Sequence, residues 1–109
     1  MIIKLFVEAE NQRYAENELN DAICVFQNKI KVKEITKNEP YWKMSGVYLV
    51  EAKIDFIQEI TKDFLHRFLN SISDNWQFFG DPVNQAVSSD SADGQTYLQK
   101  GIKMINVYY

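Results

Sequence analysis

Residues 55–72, DFIQEITKDFLHRFLNSI, decide how the rest of the chain is read. Ile57, Ile60, Phe64, Leu65, Phe68, Leu69 and Ile72 recur with the spacing of one side of an α-helix. Asp55 supplies an N-cap oxygen for the first backbone N–H groups, and Gln58, one turn later, completes a capping box. Glu59, Lys62, Asp63, Arg67 and Asn70 form the solvated face, with Asp63 and Arg67 one turn apart as an opposite-charge pair. Such a helix must bury its apolar stripe against a flat partner, and the flanking segments carry the alternation of strands.

Working outward, residues 2–8 read as a strand with Ile3, Leu5 and Val7 on one face and Ile2, Lys4, Phe6 and Glu8 on the other. Asn11 caps a second amphipathic helix whose apolar stripe is Ala15, Leu19, Ala22, Ile23 and Phe26. Its opposite side is acidic, with Glu16 and Asp21 among Arg13, Asn17 and Asn20, and Glu18 at the margin. Lys29-Ile30-Lys31-Val32-Lys33 alternates strictly, as an edge strand does when lysines on its wet face discourage pairing with another chain. A connection through Pro40 and Tyr41-Trp42 leads to the partner strand, Met44 to Ile54. After the 55–72 helix come a short aromatic strand, Trp76-Gln77-Phe78-Phe79, a turn at Gly80-Asp81-Pro82, and an irregular polar segment over 83–96. Residues 101–109 alternate again as a last strand. The order predicts a single α+β domain over 1–109: an antiparallel sheet with two helices packed on one face, in a ferredoxin-like β-α-β-β-α-β arrangement with an extra C-terminal strand.

Fifteen acidic against twelve basic side chains give a net charge of −3, which disfavours a general nucleic-acid or anionic-membrane binder and suits a basic partner. Cys24 is the single cysteine and cannot form an internal disulfide, and no apolar h-region follows Met1; both point to a reducing cytosolic compartment. No apolar run approaches the roughly 20 residues of a membrane span.

Catalytic signatures are lacking. His66 is the single histidine, so a zinc site would need carboxylates from elsewhere, and Cys24 is expected to pack at a helix border rather than pair with His66 as a nucleophile. Ser88, Ser89 and Ser91 have no Gly-x-Ser-x-Gly elbow around them, and Asp81, Asp90 and Asp93 lack EF-hand spacing. The four glycines are too dispersed to cradle a nucleotide. The expectation is therefore no enzyme, no metal and no cofactor.

What remains is surface: Tyr41, Trp42, Trp76, Phe78, Phe79, Tyr97, Tyr108 and Tyr109 exceed what the core can absorb, and aromatics beside carboxylates are the composition of binding hot spots. The acidic helix 11–26, the aromatic turn 76–82 and the Ser/Asp loop 88–94 together resemble the immunity proteins of bacterial toxin-immunity systems, including contact-dependent growth inhibition. That resemblance implies a cytoplasmic protein that neutralises a cognate toxin, commonly a nuclease, by covering its active site without touching nucleic acid or membrane. The candidate toxin-binding residues are the carboxylates Glu16, Glu18, Asp21, Asp81, Asp90 and Asp93, with Trp76 or Tyr97 as a desolvated anchor. The alternative is a small regulatory or ligand-binding domain on the same scaffold, and in either case a homodimer is left open.

Overall fold

Ile3, Leu5 and Val7 are fully buried, and the strand that carries them, β1 (Ile2–Glu8), lies inside the sheet with a neighbour on each side. The structure is a computed structural model that describes residues 1–91, 94 and 97–109. Along the chain follow α1 (Gln12–Ile23), β2 (Ile30–Pro40), β3 (Val47–Phe56), α2 (Lys62–Ile72), β4 (Gln77–Phe79), β5 (Gln85–Ser89) and β6 (Ile102–Tyr108). Among the described residues the fold is thus α+β, with two α-helices and a six-stranded sheet in the order β2-β3-β1-β6-β5-β4. Every neighbouring pair is antiparallel.

Period-two alternation sets the register: Ile3, Leu5 and Val7 pair with Ala52, Val50 and Tyr48 of β3, and Ile3 and Leu5 with Val107 and Ile105 of β6. These inward residues join Leu19 and Ala22 of α1 and Phe68, Leu69 and Ile72 of α2 in a single buried cluster. Between α1 and β2 the chain makes a 3₁₀ segment, Cys24–Lys29, which inserts Phe26 among three other phenylalanines. Its ring centroid lies 4.4 Å from Phe68, 5.0 Å from Phe56 and 5.8 Å from Phe64. Asn11 caps α1 as expected, its Oδ1 accepting from the Tyr14 N–H at 3.0 Å.

Several boundaries differ from the sequence reading. The main helix begins at Lys62, not Asp55: Thr61 is its N-cap, with Oγ1 accepting from the Phe64 N–H at 3.2 Å. Asp55 and Phe56 remain in β3, paired with Val32 and Ile30, and the Ile57 N–H donates to the Lys29 carbonyl at 2.9 Å. These backbone groups are held by the sheet, so the helical spacing of Ile57 has no consequence and its side chain is 63% exposed. A register shift between Ile30 and Val32 also breaks the expected alternation of β2. Val32 is turned outward and Lys33 comes opposite Ile54, from where its ammonium donates to Asn20 Oδ1 of α1 at 2.6 Å. Cys24, expected to pack at the helix border, is exposed.

Among the described residues three strands, not two, follow α2. Part of the polar 83–96 segment forms β5, whose Ser88 is buried, with Oγ 2.7 Å from Ser73 Oγ and 2.8 Å from the Asn75 carbonyl oxygen. The C-terminal strand is not the appended one: β6 pairs directly with β1, and β5 and β4 extend the sheet beyond it.

Candidate binding surface

At the end of the sheet where β1 finishes, the chain turns twice within hydrogen-bonding reach of itself. The Ala9 N–H donates to the Gly46 carbonyl at 3.1 Å, joining the β1–α1 connection to the β2–β3 turn. Gly46 has φ +78, a left-handed conformation that costs a residue with a Cβ more than it costs glycine. Gln12 Nε2 donates to the Asn38 carbonyl at 2.8 Å, and Asn38 Nδ2 donates back to the Gln12 carbonyl at 2.9 Å, fastening the start of α1 to the end of β2. The turn closes with the Tyr41 N–H donating to the Val47 carbonyl at 2.8 Å.

This framework fixes what the turn displays. Tyr41 packs edge-on against Phe6, centroids 4.9 Å apart, and so is held at the rim of the sheet. Trp42 lies farther out, its ring centroid 6.4 Å from that of Tyr41, and is 84% exposed, with the Lys43 ammonium 5.1 Å from its ring centre; Met44 is also exposed. Between the two turns lies a cleft of about 780 Å³, bordered by Glu8, Glu10, Pro40, Tyr41, Met44 and Tyr48. On its flank Lys103 of β6 bridges Glu8 at 2.9 Å and Asp90 at 3.2 Å, and these two carboxylate hydrogen bonds raise the Lys103 pKa. Exposed Glu10 adds negative charge to the border of the same cleft.

The carboxylates singled out from the sequence do not form one patch. Asp90 belongs to this end of the sheet through Lys103. Glu16, Glu18 and Asp21 lie along α1, and the Glu18 pKa is raised, first by partial burial and then by Asp21. Asp81 is in the turn between β4 and β5, on the outer edge of the sheet and at its other end. Asp93 lies outside the described residues. Neither expected anchor is a free aromatic. The half-buried Trp76 donates its indole N–H to the carbonyls of Leu69 at 2.9 Å and Ser73 at 3.1 Å, closing the C-terminal end of α2. Tyr97 is held at both ends, its N–H donating to Asp74 Oδ1 at 3.0 Å and its hydroxyl to the Ser71 carbonyl at 3.1 Å.

Sequence reasoning missed Glu8, Glu10 and Met44, and counted Trp42 among the surplus surface aromatics without singling it out as an anchor. Their signal is the placement of a tryptophan between Pro40 and Gly46, inside a turn too short to fold back and bury it.

A second concavity of about 750 Å³ lies at the opposite end of the sheet, between α2 and the β4–β5 turn, lined by Ile60, Leu65, His66, Phe78, Val83 and Tyr109. Among the described residues, no group of three or more His, Cys, Asp or Glu side chains could hold a metal ion. No helix among them is long and apolar enough to cross a membrane. No protein-family model matches the chain, and comparison with curated proteins and with solved structures finds no match.

Proposed function

We propose that this chain is an immunity-type inhibitor, a cytoplasmic binding protein that covers the active site of a cognate protein toxin with a basic surface. The observation that carries the reading is Trp42, 84% exposed on a turn whose Tyr41 and Met44 border the same cleft as Glu8 and Glu10, with Asp90 joined to Glu8 through Lys103 and the turns themselves pinned by backbone hydrogen bonds. A large amphipathic ring held out on a rigid turn loses little conformational freedom on binding, and desolvating it against a partner is a common source of hot-spot energy. The surrounding carboxylates suit a partner with exposed Lys or Arg, as a nucleic-acid-cleaving toxin would present, and they steer encounter more than they set affinity. The acidic face of α1, with Glu16, Glu18 and Asp21, extends this field; Asp81 lies too far away to share the contact.

The scaffold suits this role. We read β1, α1, β2, β3, α2 and β6 as a ferredoxin-like split βαβ unit with both helices on one face, and the β4–β5 hairpin as an insertion ahead of its final strand. On that reading the turn bearing Trp42 is an ordinary hairpin connection, free to vary without cost to the core.

The test is binding between this protein and the toxin domain encoded beside its gene, measured at low and high salt. Tight binding whose on-rate falls with salt, and whose lifetime collapses in Trp42→Ala, is the expected result. A neighbouring toxin that is neither bound nor inhibited would overturn the assignment.

One observation favours a different class. The concavity at Ile60, Leu65, Phe78 and Val83 has the apolar lining of a ligand pocket, with His66 at its margin, and suits a small regulatory domain. Saturable binding of an apolar small molecule that protects Phe78 or Val83, together with no toxin binding, would select that reading.

A further inference from the structure

With both helices on one face, as proposed above, the opposite face of the sheet has no helical cover, and its residues form cross-strand rows that the register fixes. One row reads Lys37, Glu51, Lys4, Asn106, Val87 and Gln77 from β2 to β4; the row beside it reads Glu39, Leu49, Phe6, Met104 and Ser89. At the centre of these rows Lys4, Glu51, Phe6 and Leu49 are each half-buried, at the junction of β1 and β3. Lys4 and Glu51 stand directly opposite one another, yet the ion pairs among the described residues are Lys37–Glu39, Lys103–Glu8 and Lys103–Asp90. Neither Lys4 nor Glu51 closes an ion pair among those residues.

We propose that this face docks on a second copy of the same chain, about a two-fold axis parallel to the strands and midway between β1 and β3. A rotation about that axis keeps each row in place and exchanges the two strands. It lays Lys4 of one copy on Glu51 of the other and Glu51 on Lys4, while Phe6 meets Leu49 and Leu49 meets Phe6. The match is self-complementary in charge and in apolar contact, as a two-fold interface requires. An axis through β1 itself would set Lys4 on Lys4, and one between β1 and β6 would set Lys4 on Asn106 and leave the charges unmatched. The packing angle of about 30° between aligned sheets displaces groups near the axis least, and Lys4 and Glu51 are the charged residues nearest to it.

On this axis β2, β3, β1 and β6 of one copy overlap β6, β1, β3 and β2 of the other. Strands spaced about 4.8 Å apart, with a rise of about 3.3 Å per residue over about seven residues, give that overlap a projected area of roughly 450 Å² on each partner before side-chain relief is counted. This is a small interface beside the roughly 800 Å² per partner of a standard one, so the dimer is expected to depend on concentration. The cleft at Trp42 lies at the end of the strands, so dimerisation through this face leaves it accessible.

The experiment is molar mass in solution by light scattering and sedimentation for the unaltered chain, Lys4→Glu, Glu51→Lys and an equimolar mixture of the two variants. The unaltered chain should be a dimer. Each variant alone places like charges across the interface twice, so its dimer dissociation constant should rise by about tenfold or more, giving monomer. In the mixture the glutamate introduced at position 4 of one chain faces the lysine introduced at position 51 of the other. At the second contact the unaltered Glu51 faces the unaltered Lys4, so both contacts are opposite in charge and dimer mass should return. The pairing within each chain is still like-charged in that mixture, so recovery reports contact between copies and not repair of the fold. Should either charge variant fail to fold, Leu49→Lys gives the same reading from a neighbouring contact, with monomer expected. A chain that is monomeric at every concentration, a dimer indifferent to these substitutions, or variants that stay monomeric when mixed would overturn the proposal.

Discussion

Replacing Phe26 by alanine tests the packing from which the rest of the structure follows. The ring is fully buried, and its centroid is no more than 5.8 Å from those of Phe56, Phe64 and Phe68. Truncating a buried phenylalanine costs about 3–5 kcal/mol through lost transfer energy and the cavity left behind. Phe56 and Phe64 are half-buried and can partly collapse into the void, whereas Phe68 is fully buried and held by α2. The cost should therefore fall near the middle of that range, at about 4 kcal/mol. Against a total stability of about 5–15 kcal/mol for a chain of this size, the variant folds with little margin. Urea unfolding followed by tryptophan fluorescence and circular dichroism should show a midpoint lower by about 2 M, using a slope of about 2 kcal/mol/M. Ile57→Ala is the internal control, because a residue 63% exposed in a loop should cost no more than about 0.5 kcal/mol. A helix beginning at Asp55 would bury Ile57 and make that change expensive. If Ile57→Ala cost as much as Phe26→Ala, or Phe26→Ala less than about 1 kcal/mol, the arrangement of the 3₁₀ segment, β3 and α2 would be wrong.

Three further outcomes follow from particular contacts. Glu18 has its pKa raised by partial burial and by Asp21, so its charged form opposes folding. The penalty is absent below the unfolded-state pKa of about 4.3 and grows as pH rises through the higher folded value. Glu18→Gln should therefore be stabilising at neutral pH, with the gain fading in unfolding titrations below about pH 4. Trp42→Ala should leave the stability measured by urea unfolding within about 0.5 kcal/mol of the unaltered protein, since an exposed ring contributes little to the fold. Trp76→Phe should be destabilising by about 1–3 kcal/mol, because it strips the indole donor from the Leu69 and Ser73 carbonyls at the end of α2; a neutral result in thermal unfolding would remove that capping role.

The strands are legible wherever one face alone is buried. In β1, β3 and β6 the two-residue period points directly at Ile3, Leu5, Val50, Ile54, Ile105 and Val107, all of which are fully buried. The errors share a cause: backbone pairing that side-chain pattern does not reveal. Ile57 continues the apolar spacing of α2, but β3 has already committed Asp55 and Phe56 to β2, so the helix waits for the cap at Thr61. In β2, a register shift after Ile30 turns a clean alternation inside out, exposing Val32 and sending Lys33 to Asn20. Residues 85–89 read as loop because Gln85, Ser88 and Ser89 run on into Asp90 and Ser91; only the pairing with β6 and the Ser73–Ser88 contact give Ser88 its buried place.

The same distinction governs the candidate site. A sequence lists carboxylates and aromatics without saying which of them the backbone uses for its own closure. Trp76 reads as an anchor because its neighbours are Gln77, Phe78 and Phe79, yet its indole N–H is taken up by the Leu69 and Ser73 carbonyls at the end of α2, and Tyr97 is likewise tied to Ser71 and Asp74. Trp42 reads as part of a strand connection, and it is the residue left over after the turn has satisfied itself through Tyr41, Val47, Ala9 and Gly46. Binding energy for a partner comes from groups the fold has not already used. By that criterion the indole of Trp42 and the carboxylate of Glu10 are available at once, whereas Asp90 and Glu8 must first release or share Lys103. A partner lysine or arginine approaching the cleft would therefore meet Glu10 first. Glu10→Gln should then lower the association rate more than Asp90→Asn does, and equal effects of the two changes in stopped-flow binding would place the contact elsewhere.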